Sequence, residues 1–203
     1  MSETIPNREL ELEPTWEIAT LFPNQGQWSE DEYLALNTNQ LVEFSNGFIE
    51  VLPMPTIYHQ RIVAFLYNAL LAFTAAGRLG EVLFAPLRVQ LWPGKYREPD
   101  LMFMKGEHES RITDDFWIGA DMVFEVLSDD DRRRDLETKG QEYAQAGIPE
   151  YWIVDPRLKR ITVLWLDGTV YAVHGEFAEG TDATSRLLEG FKVNVAAALA
   201  ARR

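Results

Sequence analysis

The sequence predicts an α/β domain in which a mixed central sheet is flanked by helices and preceded by a hairpin and an N-terminal arm. Three observations carry this. Runs rich in β-branched and aromatic residues occur both before and after a stretch of helical periodicity at residues 134–146, the order expected of strands joined by a crossover helix. An Asn-Gly pair between two apolar runs marks an early hairpin. A 203-residue chain with 46% hydrophobic residues can bury one sizeable core and is short for two.

The elements follow in order. Residues 1–27 lack periodicity and read as an extended or loosely packed acidic arm, leaving residues 28–203 as one domain. Ser29-Glu30-Asp31-Glu32 is a capping-box pattern that opens a short helix to about Leu36. Leu41–Phe44 and Phe48–Leu52 are the hairpin strands, because Asn46-Gly47 supplies the positive φ values of a tight turn. Prolines 53 and 55 end that hairpin. Ile62, Phe65, Leu66, Ala69, Leu70 and Phe73 then recur at helical spacing over Tyr58–Ala75, and Gly77 and Gly80 close the helix. Strands are expected at Glu81–Leu91, Leu101–Met104 and Met122–Leu127. After the helix at 134–146, with Gly147 as its αL cap, come strands at Tyr151–Asp155, Ile161–Leu166 and Val170–His174. Asp167-Gly168 turns the last pair, and Ala196–Ala201 forms a short terminal helix.

Composition removes several function classes. With no cysteine there is neither a disulfide nor a thiolate metal site, which fits a reducing compartment. The acidic N-terminus has no apolar core of a secretory signal. The longest nearly apolar run, Ala64 to Ala76, is broken by Asn68 and Thr74 and is too short to span a bilayer. A cytoplasmic location with no membrane partner is expected. A net charge of −13 argues against a broad phosphate-binding surface. Much of that charge is local, however: residues 1–32 hold eight acids against Arg8 alone, and the remainder is only mildly acidic. There is no P-loop, no dinucleotide-binding glycine motif and no Ser-His-Asp arrangement.

Three residues point to chemistry. Glu125 stands alone in the apolar run Met122–Leu127, where a carboxylate must be paired, protonated or metal-bound, since an isolated buried charge is costly. Asp100 follows Pro99 and opens the strand Leu101–Met104, so a neighbouring strand could present Glu125 beside it. Two hard oxygen ligands on rigid strands suit Mg²⁺, which accepts one or two carboxylates and keeps several waters. On the helix at 134–146, Leu136, Lys139, Tyr143 and Ala146 share one face at steps of three and four. Lys139 therefore lies in the inward stripe, away from Arg133, Glu137 and Gln141, and Glu125 on the preceding strand is the natural partner. Such a lysine can orient water or neutralise charge on a phosphate. Each has a plainer reading: a strand acid paired with an arginine, a turn aspartate, and a snorkelling lysine.

The passages REPDLMF and MVFEVLSDDDRRRDLETKGQEYAQAGIPEYWIVDP, with EFSNGFIEVLPMP before them and LLEGFKV after, resemble the bacterial family of putative restriction endonucleases of the Uma type. That family belongs to the PD-(D/E)XK nuclease superfamily, and the resemblance runs from about Val42 to Phe191. It implies a restriction-endonuclease-like fold, Asp100 and Glu125 as ligands of Mg²⁺ (or Mn²⁺), and Glu43 as a further acid near the site. The superfamily's lysine stands two residues after the second acid, where this chain has Leu127. The family often relocates that role to the following helix, which makes Lys139 the candidate. The resemblance also places a histidine at His59 and matches Tyr143, Tyr151, Trp152 and Asp155. His59 reads first as a polar residue opening a helix, and Tyr151 and Trp152 as core packing. The expected function is Mg²⁺-dependent endonucleolytic hydrolysis of nucleic acid, DNA in the first place. The alternative is a catalytically silent nuclease-fold module that binds nucleic acid or protein. A second copy of the chain is a further partner, with Val170–His174 as the edge strand.

Overall fold

A computed structural model describes residues 22–38, 40–128 and 134–200. Residues 1–21 of the expected arm, the Arg133 position and the side chain of Leu136 lie outside the described part. Residues 22–27 are not loose. Gln25 exchanges side-chain hydrogen bonds with the backbone of Ile49, and the Gly26 amide donates to the Gly47 carbonyl at 2.7 Å.

The capping box of the first helix, α1 (Glu30–Leu34), is present in both directions: Ser29 accepts from the Glu32 amide, and the Glu32 carboxylate accepts from the Ser29 amide. Strands β1 (Val42–Ser45) and β2 (Phe48–Val51) form the predicted hairpin, with Asn46 and Gly47 at φ of 48° and 89°. The long helix α2 (Ile57–Gly77) is capped by Thr56 and ends on Arg78 in the left-handed region, where a glycine was expected. The expected strand at Glu81–Leu91 is two strands, β3 (Gly80–Phe84) and β4 (Val89–Trp92), which belong to different sheets. Pro86 lies between them and has no N–H to continue a ladder. The short β5 (Lys95–Arg97), β7 (Trp117–Ile118), β12 (Asp182–Thr184) and β13 (Lys192–Asn194) were not anticipated.

The remaining elements follow the expected order: β6 (Leu101–Lys105), β8 (Met122–Val126), a wide π-helical turn (Arg134–Lys139) running into α3 (Gly140–Gln145), β9 (Glu150–Asp155), β10 (Arg160–Asp167), β11 (Val170–Ala178) and α4 (Val195–Leu199). A six-stranded sheet has the order β11-β10-β9-β8-β6-β3. Its one parallel pair, β8 with β9, requires a crossover, and the π turn and α3 lie in that crossover. A five-stranded sheet has the order β2-β1-β5-β4-β7.

Alternation along the central strands sorts the core. Met122, Phe124 and Val126 face α2 and α4, packing with Ile62, Leu66, Trp152 and Leu199. Val123 and Leu127 face the other way, with Met102, Met104, Tyr143, Tyr151 and Trp117. Trp152 and Tyr151 are fully buried on opposite faces, so both pack as expected. A smaller cluster of Tyr33, Val42, Phe44 and Tyr96 joins α1 to the five-stranded sheet. The chain passes from that sheet to the six-stranded one within three residues, Glu98-Pro99-Asp100, between β5 and β6. Among the described residues, no helix is long and apolar enough to cross a membrane.

Candidate active site at the seam between the sheets

Glu125 points to the α3 side of β8 and is buried. Its Oε1 meets two donors: Lys139 Nζ at 2.9 Å and the Tyr143 hydroxyl, which donates at 2.6 Å. Lys139 and Tyr143 stand four residues apart, one helical turn, which brings both onto the strand beneath. Burial first, then the charge of Glu125, pushes the Tyr143 phenol well above its ordinary range, so it stays protonated and keeps donating.

Asp100 stands at the start of β6. Leu101 pairs with Phe124, so Asp100 lies next to Glu125 along the strand register. Its Oδ2 accepts from the Val126 amide at 2.7 Å and lies 3.1 Å from His59 Nε2, in the first turn of α2. Glu125 is thus held by Lys139 and Tyr143, and Asp100 by the Val126 amide and His59. Among the described residues no group of three or more acids or histidines is gathered closely enough to enclose an ion. An ion here would rest on two carboxylates and complete its shell with water or substrate, as Mg²⁺ commonly does. Asp100 Oδ1 carries no hydrogen bond among the described residues, which fits that arrangement.

Glu43 comes from β1, in the other sheet, and is also buried. Its Oε2 is paired with Arg97 Nη1, while its Oε1 accepts from the Glu98 amide at 3.3 Å and lies 3.9 Å from Lys139 Nζ. Arg97 also donates in a fork to Glu142 on α3, from Nε at 2.7 Å and Nη2 at 2.9 Å. Lys95 reaches the same Glu142 carboxylate. Burial alone would lower the Arg97 guanidinium, but Glu43 and Glu142 outweigh it and hold it higher. Burial likewise raises Glu142, yet the hydrogen bonds from Arg97 and Lys95 hold it below the usual carboxylate range. Arg97 therefore ties three elements together: β1, β5 and the helix that carries Lys139.

Glu98 is a further buried acid beside this cluster. Its Oε2 accepts from the Val42 amide at 3.2 Å. Burial, then the charge of Glu43, pushes its carboxyl up to about 7, against the pull of Arg88 and Lys139. Four carboxylates (Glu43, Glu98, Glu125, Glu142) are gathered here with the cations Lys95, Arg97 and Lys139, and Arg88 also acts on Glu98.

Sequence reasoning singled out Asp100, Glu125, Lys139 and Glu43, and the structure gathers Glu125, Lys139 and Glu43 around one ammonium, with Asp100 on the adjacent strand. It missed Lys95, Arg97, Glu98 and Glu142. The available signal was four charges in two short segments that had to pack against apolar strands. Asp155 is buried and accepts from the Arg157 and Leu158 amides in the turn after β9. A groove of about 610 Å³ lined by Phe73, Arg78, Lys105 and Leu188 lies at the far end of α2 and shares no residue with this cluster.

Comparison with known proteins gives the chain its relatives. A profile of the Uma2 family, described as putative restriction endonuclease, matches residues 28–196. A search of curated proteins returned no match. Among solved structures, the chain is similar to a putative nuclease belonging to DUF820 from Anabaena variabilis. The TM-score is 0.71 at 18% identity, covering 86% of this chain and 98% of that one. That likeness shows a shared fold. The chain belongs to the Uma2 putative restriction endonuclease family.

Proposed function

We propose that this Uma2 member is a divalent-ion-dependent endonuclease that hydrolyses phosphodiester bonds, with DNA as its substrate. One observation carries the reading: Lys139, delivered by the crossover helix, lies 2.9 Å from Glu125 on β8, on the strand next to Asp100. Asp100 and Glu125 would hold Mg²⁺, or Mn²⁺ in its place. A bound ion of this kind lowers the pKa of a coordinated water and stabilises charge on the phosphate. Lys139 presents an ammonium beside Glu125 and the reacting group, where it offsets developing negative charge. Tyr143 holds the same Glu125 oxygen through a proton it does not release. Glu43 faces Lys139 as an outer carboxylate and, through Arg97 and Glu142, sets where the helix lies. The acidity of the chain as a whole makes the ion more important for drawing in a polyanion.

A second reading is a catalytically silent module that binds nucleic acid or protein. It is favoured by the fact that Glu125 Oε1 already has two donors. Cleavage of single-stranded and duplex DNA, with Mg²⁺, Mn²⁺ or chelator, separates the two. The Glu125→Ala protein is prepared in parallel to exclude contamination. Ion-dependent cleavage by the wild type alone supports the endonuclease. Equal cleavage by both proteins, or none by either, supports the silent module.

A further inference from the structure

We infer that His59 is a positioning residue for Asp100, selecting which carboxylate oxygen is turned toward the ion; this rests on the metal-dependent reading above. The placement begins in the sequence. Thr56 caps α2 by accepting from the His59 amide at 3.1 Å, which puts His59 third in the first turn. From there its ring reaches Asp100 Oδ2 at 3.1 Å, on an oxygen that already accepts from Val126 N–H at 2.7 Å. An acceptor at that oxygen requires the proton on Nε2. The terminal torsion of an aspartate is broad and nearly two-fold, so one hydrogen bond from Val126 leaves the carboxylate free to tilt. Two donors on one oxygen fix the plane. Oδ2 is then satisfied, and Oδ1 is the oxygen with no hydrogen bond among the described residues. Both side chains are sheltered yet reachable, at 14% and 16% exposed. The other two histidines stand elsewhere: His108 pairs with Asp121, and His174 lies on the edge strand β11 against Thr184. Donors that orient a metal-binding side chain in this way typically matter about 10–100-fold in ion affinity or activity.

The test compares His59→Gln, whose amide N–H can take the place of the Nε2 donor, with His59→Leu, which fills similar space without a donor. Binding of Mn²⁺ by calorimetry is the readout, beside the thermal midpoint in chelator. The inference expects near wild-type Mn²⁺ affinity in His59→Gln and a loss of about 10–100-fold in His59→Leu. His59→Ala serves the same comparison if the leucine protein does not fold. Wild-type affinity in the Leu or Ala protein, with only the midpoint in chelator altered, makes His59 a structural residue and overturns the inference. Equal loss in Gln and Leu overturns it too, because the donor is then irrelevant. Absence of Mn²⁺ binding by the wild type refutes the metal-dependent reading beneath it, a distinct result from either of these.

Discussion

Glu98→Gln should make the protein more stable at alkaline pH and leave it unchanged in mild acid. The Glu98 carboxyl is pushed from 4.5 up to about 7 by burial and by Glu43. The folded state therefore binds this proton more tightly than the unfolded chain does. Its contribution is most favourable below pH 4.5, declines as pH rises toward 7 and is constant above that. At 1.36 kcal/mol for each tenfold change in proton affinity, the full decline is about 3 kcal/mol. Glutamine cannot ionise, and its amide oxygen can still accept from the Val42 amide. The gain of the variant over wild type should grow from near zero at about pH 4.5 to about 3 kcal/mol above pH 8. Urea denaturation across that range, at constant ionic strength and with EDTA to remove bound ions, measures it. A difference that stays flat with pH, or that favours wild type at high pH, would refute the tighter proton binding of Glu98 in the folded state.

Lys139→Ala removes one donor from Glu125 and leaves that carboxylate buried, so it should cost about 3–5 kcal/mol, read from the urea midpoint at neutral pH. Tyr143→Phe deletes a single hydrogen bond to the same oxygen and should cost less, about 1.5–3 kcal/mol. Asp100→Asn keeps acceptors for Val126 and His59, so its thermal midpoint in chelator should stay near wild type while the upward shift produced by millimolar Mg²⁺ disappears. Trp152→Ala, in the core on the α2 side, should destabilise by about 3–5 kcal/mol without changing the Mg²⁺ shift of whatever protein remains folded.

How much of this was legible depends on the range of the interactions. The α1 capping box and the Asn46-Gly47 hairpin are set by neighbours in sequence, and both formed where expected. Glu125 and Lys139 were readable because each was chemically out of place, an acid in an apolar strand and a lysine in an inward stripe. Arg97 was not readable, because its meaning lies in Glu43 and Glu142, 54 and 45 residues away, on elements that only the tertiary fold brings together. The break in residues 81–91 was missed because apolar content was read through Pro86 as one strand, although each half belongs to a different sheet. His59 looked like a helix-start residue, and it is one. What the sequence could not convey is that this helix start faces Asp100 across the seam.

The central claim is that Asp100 and Glu125 share one divalent ion. Anomalous diffraction from crystals soaked in Mn²⁺ would locate it directly. The account predicts a single strong peak within about 2–2.5 Å of oxygens from both carboxylates, with Asp100 contributing Oδ1. A peak bound to neither carboxylate, or none at saturating Mn²⁺ in crystals with this seam exposed to solvent, would contradict it.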